Sequence, residues 1–410
     1  MIVACLGLGL LALPALAGSK GPRVVPERVG ERFGYVGRSG RMVIQPSFDM
    51  VTPFRDGRAT GMVKGRWGII DDGGRWLTPP KYDWVHPQLF DEGPALVSTH
   101  GLYGYVDRNG VEVVPTRLEQ ATPFVDGYAC LFDPQAMHFG IVDSEGLPVS
   151  GFRYDECDPG FRDGRARVRK GARWGYVGRG GALVLPMFYE HAEPFSEGLA
   201  LIEEDGFKAY IDAQGRRVIP ANGDAAGSFS QGRAWVRYGP DQVGFIDRRG
   251  ARIGEAKWRN AHDFSPEGVA WVQDARSGLW ALINRAAEVV VPPTYEDPGP
   301  FSEGLARVGL RGRYGFVNAE GTVVIPLVHR TVGTFHEGLV SVSTQSGGKQ
   351  GVVDREGQWV ARELYDQISP YRNGVARVTE CTAQKLSVLG PETQVCEVFF
   401  VDRQGGELRR

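Results

Sequence analysis

Histidine and cysteine are scarce in this chain: 7 and 5 among 410 residues. No spacing between them resembles a zinc site, and His329 and His336, the closest pair of histidines, are read as surface residues. An excess of one charge is missing too. Lys and Arg number 47 and Asp and Glu 49, a net charge of −2, which gives no reason to expect a general nucleic-acid binder or an acidic-lipid anchor. No stretch keeps a ten-residue helical period. There is no Gly-x-Ser-x-Gly, no phosphate loop and no His-Glu-x-x-His, so no catalytic residue, cofactor or metal is expected. The Gly-rich Gly178-Arg179-Gly180-Gly181 falls at a hairpin turn and is not a nucleotide cradle.

The apolar run at Met1 to Ala17 ends in the small-x-small triplet Ala15-Leu16-Ala17 and is read as a signal peptide over residues 1–17. It has no Lys or Arg ahead of it, and it is too short to span a bilayer comfortably. Cys5 lies too near the start for a lipoprotein site. With that run removed, no stable membrane insertion is expected, and the chain is placed in a bacterial periplasm or outside the cell. Four cysteines then remain, an even number that favours disulfides in an exported chain. Cys381 pairs with Cys396 across an insertion, and Cys130 with Cys157 one repeat on.

What the chain has in abundance is repetition. An aromatic, one residue, usually an acid, then Gly, with Ala or Val two further on, occurs ten times: Phe54-Gly57-Ala59, Phe90-Gly93-Ala95, Phe124-Gly127-Ala129, Phe161-Gly164-Ala166 and on to Gly374. The glycines step by 34 to 37 residues. So tight a period means one supersecondary unit copied along the chain. A second segment follows each first one, as in Trp67-Gly68-Ile69-Ile70-Asp71, Tyr103-Gly104-Tyr105-Val106-Asp107 and Trp174-Gly175-Tyr176-Val177. Ala209, Ala281 and Phe399 stand where Gly is usual. Three residues past the Asp comes another Gly (Gly74, Gly110, Gly146, Gly215, Gly250, Gly357), then an apolar pair and usually Pro, as in Val114-Pro115 and Ile325-Pro326.

This phrase predicts β-structure. After the first Gly, one face is fixed as Ala and Val-like (Ala166 and Val168, Ala306 and Val308) while the alternate positions vary, the mark of a half-buried strand. The Trp-Gly segment is a second strand, rich in aromatic and β-branched residues, and a ring beside a missing side chain lets another backbone approach closely. Asp-x-x-Gly is a turn, with Asp bonding the backbone ahead and Gly taking positive φ. The apolar pair is a third strand, stopped by Pro. Each unit is then a three-stranded antiparallel meander. Both residues after the second-strand Gly are apolar, so neighbouring units must cover both faces, and a lone unit is not a folded object.

The Trp-Gly-Tyr/Ile-Val/Ile-Asp segments, the Asp-x-x-Gly turns, the Val/Ile-Pro ends and the Phe-x-Glu/Asp-Gly-x-Ala segments resemble the WG-repeat family of bacterial exported and surface proteins. The resemblance covers most of the chain. It implies a binding or scaffolding array with no shared catalytic residue.

The expected fold is all-β: tandem meanders stacked as an open, solenoid-like array over residues 32–410, ten to eleven units, with 18–31 as a linker or degenerate cap. A closed propeller is the alternative. The expected function is non-enzymatic binding or scaffolding of a protein or cell-envelope polysaccharide, by a monomer that takes no nucleic acid. A propeller-type carbohydrate-active enzyme and a structural spacer are the alternatives. The recurring Asp lack the dense oxygen ligands of calcium, and acids before the first Gly (Asp56, Glu197, Glu303) recur too often to be a catalytic pair. The ligand surface is placed at the variable position three past the first Gly: Thr60, Leu96, Cys130, Arg167, Leu201, Trp235, Trp271, Arg307, Ser341 and Arg377. These side chains should point outward in one row, and Trp and Arg are typical of binding patches. Trp258, His262 and Trp280 lie near the same units. The other candidate surface is the insertion after Gly374, where 25 residues precede the second segment against 11 to 13 elsewhere.

Overall fold

The computed structural model describes residues 24–37, 41–87, 89–372, 374–385 and 392–408. The run 1–17, read as a signal peptide, lies outside them. The described residues form strands and turns and no helix.

Each copy follows from three turns. In the copy that starts at Met50, the strands Met50–Val51, Arg58–Val63, Arg66–Asp71 and Trp76–Tyr82 pair antiparallel in sequence order. The phrase acid and Gly make the first turn. Asp56 and Gly57 both hold positive φ, 45° and 75°, and Arg55 and Arg58 exchange both backbone hydrogen bonds, at 2.7 and 2.9 Å. Two successive left-handed residues match the twist of a hairpin. Lys64 and Gly65 repeat the device at the next turn (φ 53° and 76°). At the third turn, Asp71 Oδ1 accepts the N–H of Gly73 and of Arg75, at 3.1 and 2.9 Å. Asp107, Asp143, Asp247 and Asp354 bind the same two backbone positions in their copies.

Two expectations are corrected here. Most sheets carry a fourth strand, only two residues long, ahead of the three that were expected. Pro also does not stop the third strand: Trp76–Tyr82 runs through Pro79 and Pro80. The register steps from Ile69↔Thr78 to Trp67↔Tyr82, so the outer strand bulges by two residues between them. It is an edge strand, where a missing N–H costs no ladder bond. The bulge brings its backbone onto the second-strand glycine, as the Trp-Gly pairing predicts. A Cβ on Gly68 would stand 2.5 Å from the Thr78 carbonyl oxygen, and one on Gly315 only 2.3 Å from that of Ile325.

Copies bury one another. Tyr176 and Val177 are fully buried. Tyr176 packs on Leu185 and Tyr189 of its own sheet and on Phe195, Ala200 and Ile202 of the next, with the Phe195 ring 4.9 Å away. Its hydroxyl donates to the Glu193 carbonyl at 2.7 Å. Tyr35, Tyr105 and Tyr210 bond Thr52, Thr122 and Gly227 in the same way. The phrase acids lace the copies together: Asp163, Glu197, Glu303 and Glu337 accept the backbone N–H of Gly198, Gly232, Gly338 and Gly374, each one copy on, at 2.7 to 2.9 Å.

Ten sheets are present among the described residues, and the seven-stranded one holds two copies, making eleven. There the strand Arg252–Ala261 runs unbroken from one copy into the next. Elsewhere the chain steps between sheets at an acid: Asp49, Asp83 and Asp155 accept an N–H from the following hairpin turn (Lys64, His100, Gly171) at 2.5 to 2.6 Å. Arg259 stands at that step and pairs instead with Asp241 at 2.9 Å.

Within the segment expected to be a linker, Val24–Val29 is a strand, paired along its length with Arg32–Gly37. It lies against the other end of the chain. Val24 and Val25 share a core with Val375, Val398 and Leu408, the Phe33 and Phe400 rings meet edge-on at 6.1 Å, and Arg377 Nη1 lies 3.7 Å from the Met50 sulfur. Both expected disulfides are present. Cys130–Cys157 ties one copy to the next, and Cys381–Cys396 joins directly opposed residues of the extended hairpin Val375–Lys385 and Glu392–Asp402.

Candidate functional site

The short strand and the residue after it form one edge of most sheets. The backbone N–H of Thr52, Thr122, Asp158, Glu193, Gly227 and His262 donates to the carbonyl of Thr60, Cys130, Arg167, Leu201, Trp235 and Trp271, at 2.8 to 3.0 Å. The variable positions therefore do occupy equivalent places, one per copy. They do not form an outward row. Thr60, Leu96, Cys130, Leu201 and Trp271 are buried, Arg167, Trp235, Arg307 and Ser341 half-buried, and Arg377 alone is exposed. The short strand of the same copy and the copy that follows cover that face.

Several of the expected ligand residues are thereby committed to packing. Trp271 is 3% exposed, donates its indole N–H to the Gly299 carbonyl at 3.1 Å and stacks on Phe301. Trp258 is buried in the core of its copy with Phe245 and Phe264. Arg167 spans Asp158 (3.0 Å) and the Ala192 carbonyl (2.7 Å) and lies over the Trp174 ring. Arg307 pairs with Asp297 at 2.9 Å. Large side chains at these positions sit over a small partner on the edge: a Cβ on Gly227 would stand 2.2 Å from Trp235 Nε1.

Trp235 and Trp280 remain half-buried, on either side of an unexpected pair, His262 and Asp263. In five copies the position before the phrase aromatic is Pro: Pro53, Pro123, Pro194, Pro300 and Pro370. Here it is Asp263, preceded by His262. The Trp235 indole of the preceding copy lies near enough to Asp263 to favour its carboxylate form. The His262 ring lies 4.6 Å from that of Trp280. Both His262 and Asp263 are exposed, although neighbouring atoms take part of their hydration. Loss of hydration pushes the Asp263 carboxyl above the usual carboxylate range and adds to the effect of Glu193, while Trp235 and His262 oppose it. Loss of hydration also holds His262 below its ordinary value. The group offers an exposed carboxylate next to an imidazole that lies against the Trp280 ring. In the sequence Asp263 stands out only as the one acid at a position that holds Pro in five copies and Leu89, Gly160, Ser228 or Thr334 in the others.

Glu193 lies 2.8 Å from His191 and 3.8 Å from Arg167. A small cleft between His86, Glu92, Leu96 and Phe124 has about 20 Å³ of room, enough for a water. Among the described residues no three His, Cys, Asp or Glu gather as a metal site, and no helix is long and apolar enough to cross a membrane.

A family model described as WG containing repeat matches nine segments: residues 33–61, 67–102, 103–131, 139–174, 174–206, 209–239, 280–314, 314–346 and 351–380. No curated protein matches the chain. Among solved structures, one titled as the eukaryotic initiation factor is similar over 74% of this chain and 95% of its own, at 9% identity and a TM-score of 0.48. BamB from Moraxella catarrhalis is similar over 73% and 92%, at 13% identity and 0.32. The extracellular domain of a hybrid two-component system from B. thetaiotaomicron is similar over 93% and 62%, at 11% identity and 0.25.

Proposed function

The chain belongs to the family of WG-containing repeats, and from that premise we propose that it is an exported array, closed into a ring, that holds an envelope saccharide at its short-strand edge without turning it over. The observation that carries this reading is the break in the pattern. Where five copies have Pro, and the other four have Leu89, Gly160, Ser228 and Thr334, one places the carboxylate of Asp263, directly after His262, whose ring lies against Trp280, and near Trp235. Indole faces cover the carbon face of a sugar ring, and a carboxylate takes its hydroxyls. Closure is supported by the shared core of the first and last sheets. Export is supported by the two disulfides, which persist in oxidising compartments.

The test is capture of envelope polysaccharide by the purified chain. Replacing Asp263 by Asn and Trp280 by Ala should each weaken capture by about tenfold or more, as loss of a binding anchor does. Capture left unchanged by both substitutions overturns the reading, and turnover of the polysaccharide replaces it with a hydrolase.

A further inference from the structure

The outer strands depart from their pattern at one junction between copies. Most are seven residues long, but Arg217–Pro220 has four. Its pairing ends at Ala209↔Pro220, two residues short of Phe207. That ring stands where other copies hold Arg32, Arg66, Arg173 and Arg313. It is 71% exposed, the most of any large apolar side chain among the described residues. Phe188, on the outer strand of the preceding copy, is 61% exposed at a place that holds Ser47, Lys81, Arg117 and Lys257 in four others. Val328 and Leu364 are apolar there too, but Lys349 and Glu397 follow them where Phe207 follows Phe188. Arg173 and Glu190 join the two segments. Arg173 donates to the Phe188 carbonyl at 2.9 Å and to Glu190 at 3.2 Å, and Glu190 accepts the Gly206 N–H, directly before Phe207, at 3.3 Å.

Leu183 and Val184 on the strand of Phe188, and Val218 on the shortened strand, are exposed as well. With the two rings they present roughly 400 Å² of apolar surface, at about 200 Å² for a whole phenyl side chain. That is about the apolar share of one partner's side in a standard-sized interface. The charges at this junction are paired among themselves: Arg173 with Glu190, Lys208 with Glu203 at 3.2 Å, and Arg217 with Glu204. Both signs are present equally, so the patch calls for no charged ligand and is complementary to itself. A net charge of −2 leaves little repulsion between two chains. Charged side chains commonly keep edge strands from pairing with each other, and Leu183–Tyr189, which reads Leu-Val-Leu-Pro-Met-Phe-Tyr, carries none.

We propose that the chain binds a second copy of itself here, in a twofold contact that buries Phe188 and Phe207 of both protomers. This replaces the monomer expected from the sequence. The short-strand edge lies on the other side of each sheet and stays open for a ligand.

Sedimentation equilibrium of the full chain up to about 100 μM reads the association, since interfaces of this size dissociate in the micromolar range or below. Phe207→Arg and Phe188→Lys introduce residue types that other copies carry at the same places, and an unchanged melting temperature confirms that each variant is folded. Each should weaken dimerisation about tenfold or more, and the two together should leave a monomer. Val328→Lys, on another outer strand, should leave the dimer intact. A parent that is monomeric throughout overturns the proposal. If that monomer floats with phosphatidylglycerol vesicles and the double variant does not, the patch belongs to a membrane surface. A dimer that survives the double substitution overturns it as well, and so does association that grows beyond two, which a twofold contact closes off.

Discussion

A single missing carbon decides whether the outer strand can close on its sheet. Gly68 lies under the bulge at Pro79 and Pro80, with the Thr78 carbonyl oxygen 2.5 Å from where a Cβ would stand. Gly68→Ala should lose about 1–3 kcal/mol in urea unfolding, the range for overpacking a well-packed site. The chain supplies its own control: Ala209 fills the same place in a copy whose register runs unbroken through Ala209↔Pro220 and Tyr210↔Ile219. Ala209 is buried in its core, so Ala209→Gly should not relieve strain but cost about 1–2 kcal/mol, from the flexibility of an added glycine and one lost buried methyl. The close approach was legible in the sequence because ring and Gly recur together. His329 was not. It was read as a surface residue, yet it is 5% exposed, in the place that Tyr82 and Tyr365 hold in other copies. Those tyrosines donate to Glu112 and Glu407 of the next copy. His329 instead meets the Trp359 ring edge-on, with Nδ1 buried and unpartnered. Desolvation lowers its affinity for a proton against a smaller opposing effect of Glu363. The unfolded chain then takes up the proton more readily than the folded one, so stability is complete above about pH 6.5 and falls as pH drops below it. His262 shifts in the same direction, so the comparison that isolates His329 is with His329→Tyr. Between about pH 7 and pH 5, the loss of melting temperature should be smaller in that variant than in the parent, and equal losses would show that His329 does not titrate on unfolding.

The phrase that repeats most faithfully spends its acid on the neighbouring copy. Glu303 accepts the Gly338 N–H at 2.8 Å. Asp56 sits at the equivalent turn, but its carboxylate meets only the Arg108 guanidinium, at 3.7 Å in an exposed setting. Both residues hold positive φ, 52° and 45°, so replacing either by Ala adds similar backbone strain, and the difference between the variants isolates the hydrogen bond. Glu303→Ala should cost about 1–2 kcal/mol more than Asp56→Ala in chemical unfolding, as expected for a hydrogen bond to a charged acceptor against a surface ion pair. Equal costs would reduce the carboxylate ladder to an ornament of the turn. At this scale the second strand, the Asp-x-x-Gly turn and the alternation after the first Gly could all be read directly. The short first strand could not, because two residues carry no period. The third strand was cut too early because Pro was taken to end a ladder, when the outer strand has no partner on that side to lose. The binding row failed for a related reason. Period two tells which side chains share a face, but whether that face meets water or the next copy depends on stacking, and Trp271 lost its exposure to Gly299 and Phe301.

For the whole molecule, the copies fix how each sheet packs on the next, but the sequence period says nothing of whether the last reaches the first. That depends on a small rotation per copy summed over the array. The contacts of Val24, Val25 and Phe33 with Val375, Phe400 and Leu408 bear on it directly, because Val24 and Leu408 then lie in one core although nearly the whole chain separates them. A circular permutant turns this into a measurement. Residue 408 is joined to residue 24 by a Gly-Ser linker of roughly eight residues, which spans only a short gap. New termini are opened in the turn 134–137, outside the strands Tyr128–Asp133 and His138–Asp143. In a ring the linker bridges neighbours, every interface survives, and the permutant should unfold cooperatively within a few degrees of the parent. In an open array the linker would have to cover the length of the stack, which it cannot, so the permutant would lose its terminal copies or fail to fold. Opening the parent at the same turn without the linker separates damage at the cut from damage at the seam. A nicked ring keeps its melting temperature, and a permutant that melts far below it would mean that the first and last sheets do not hold each other in solution.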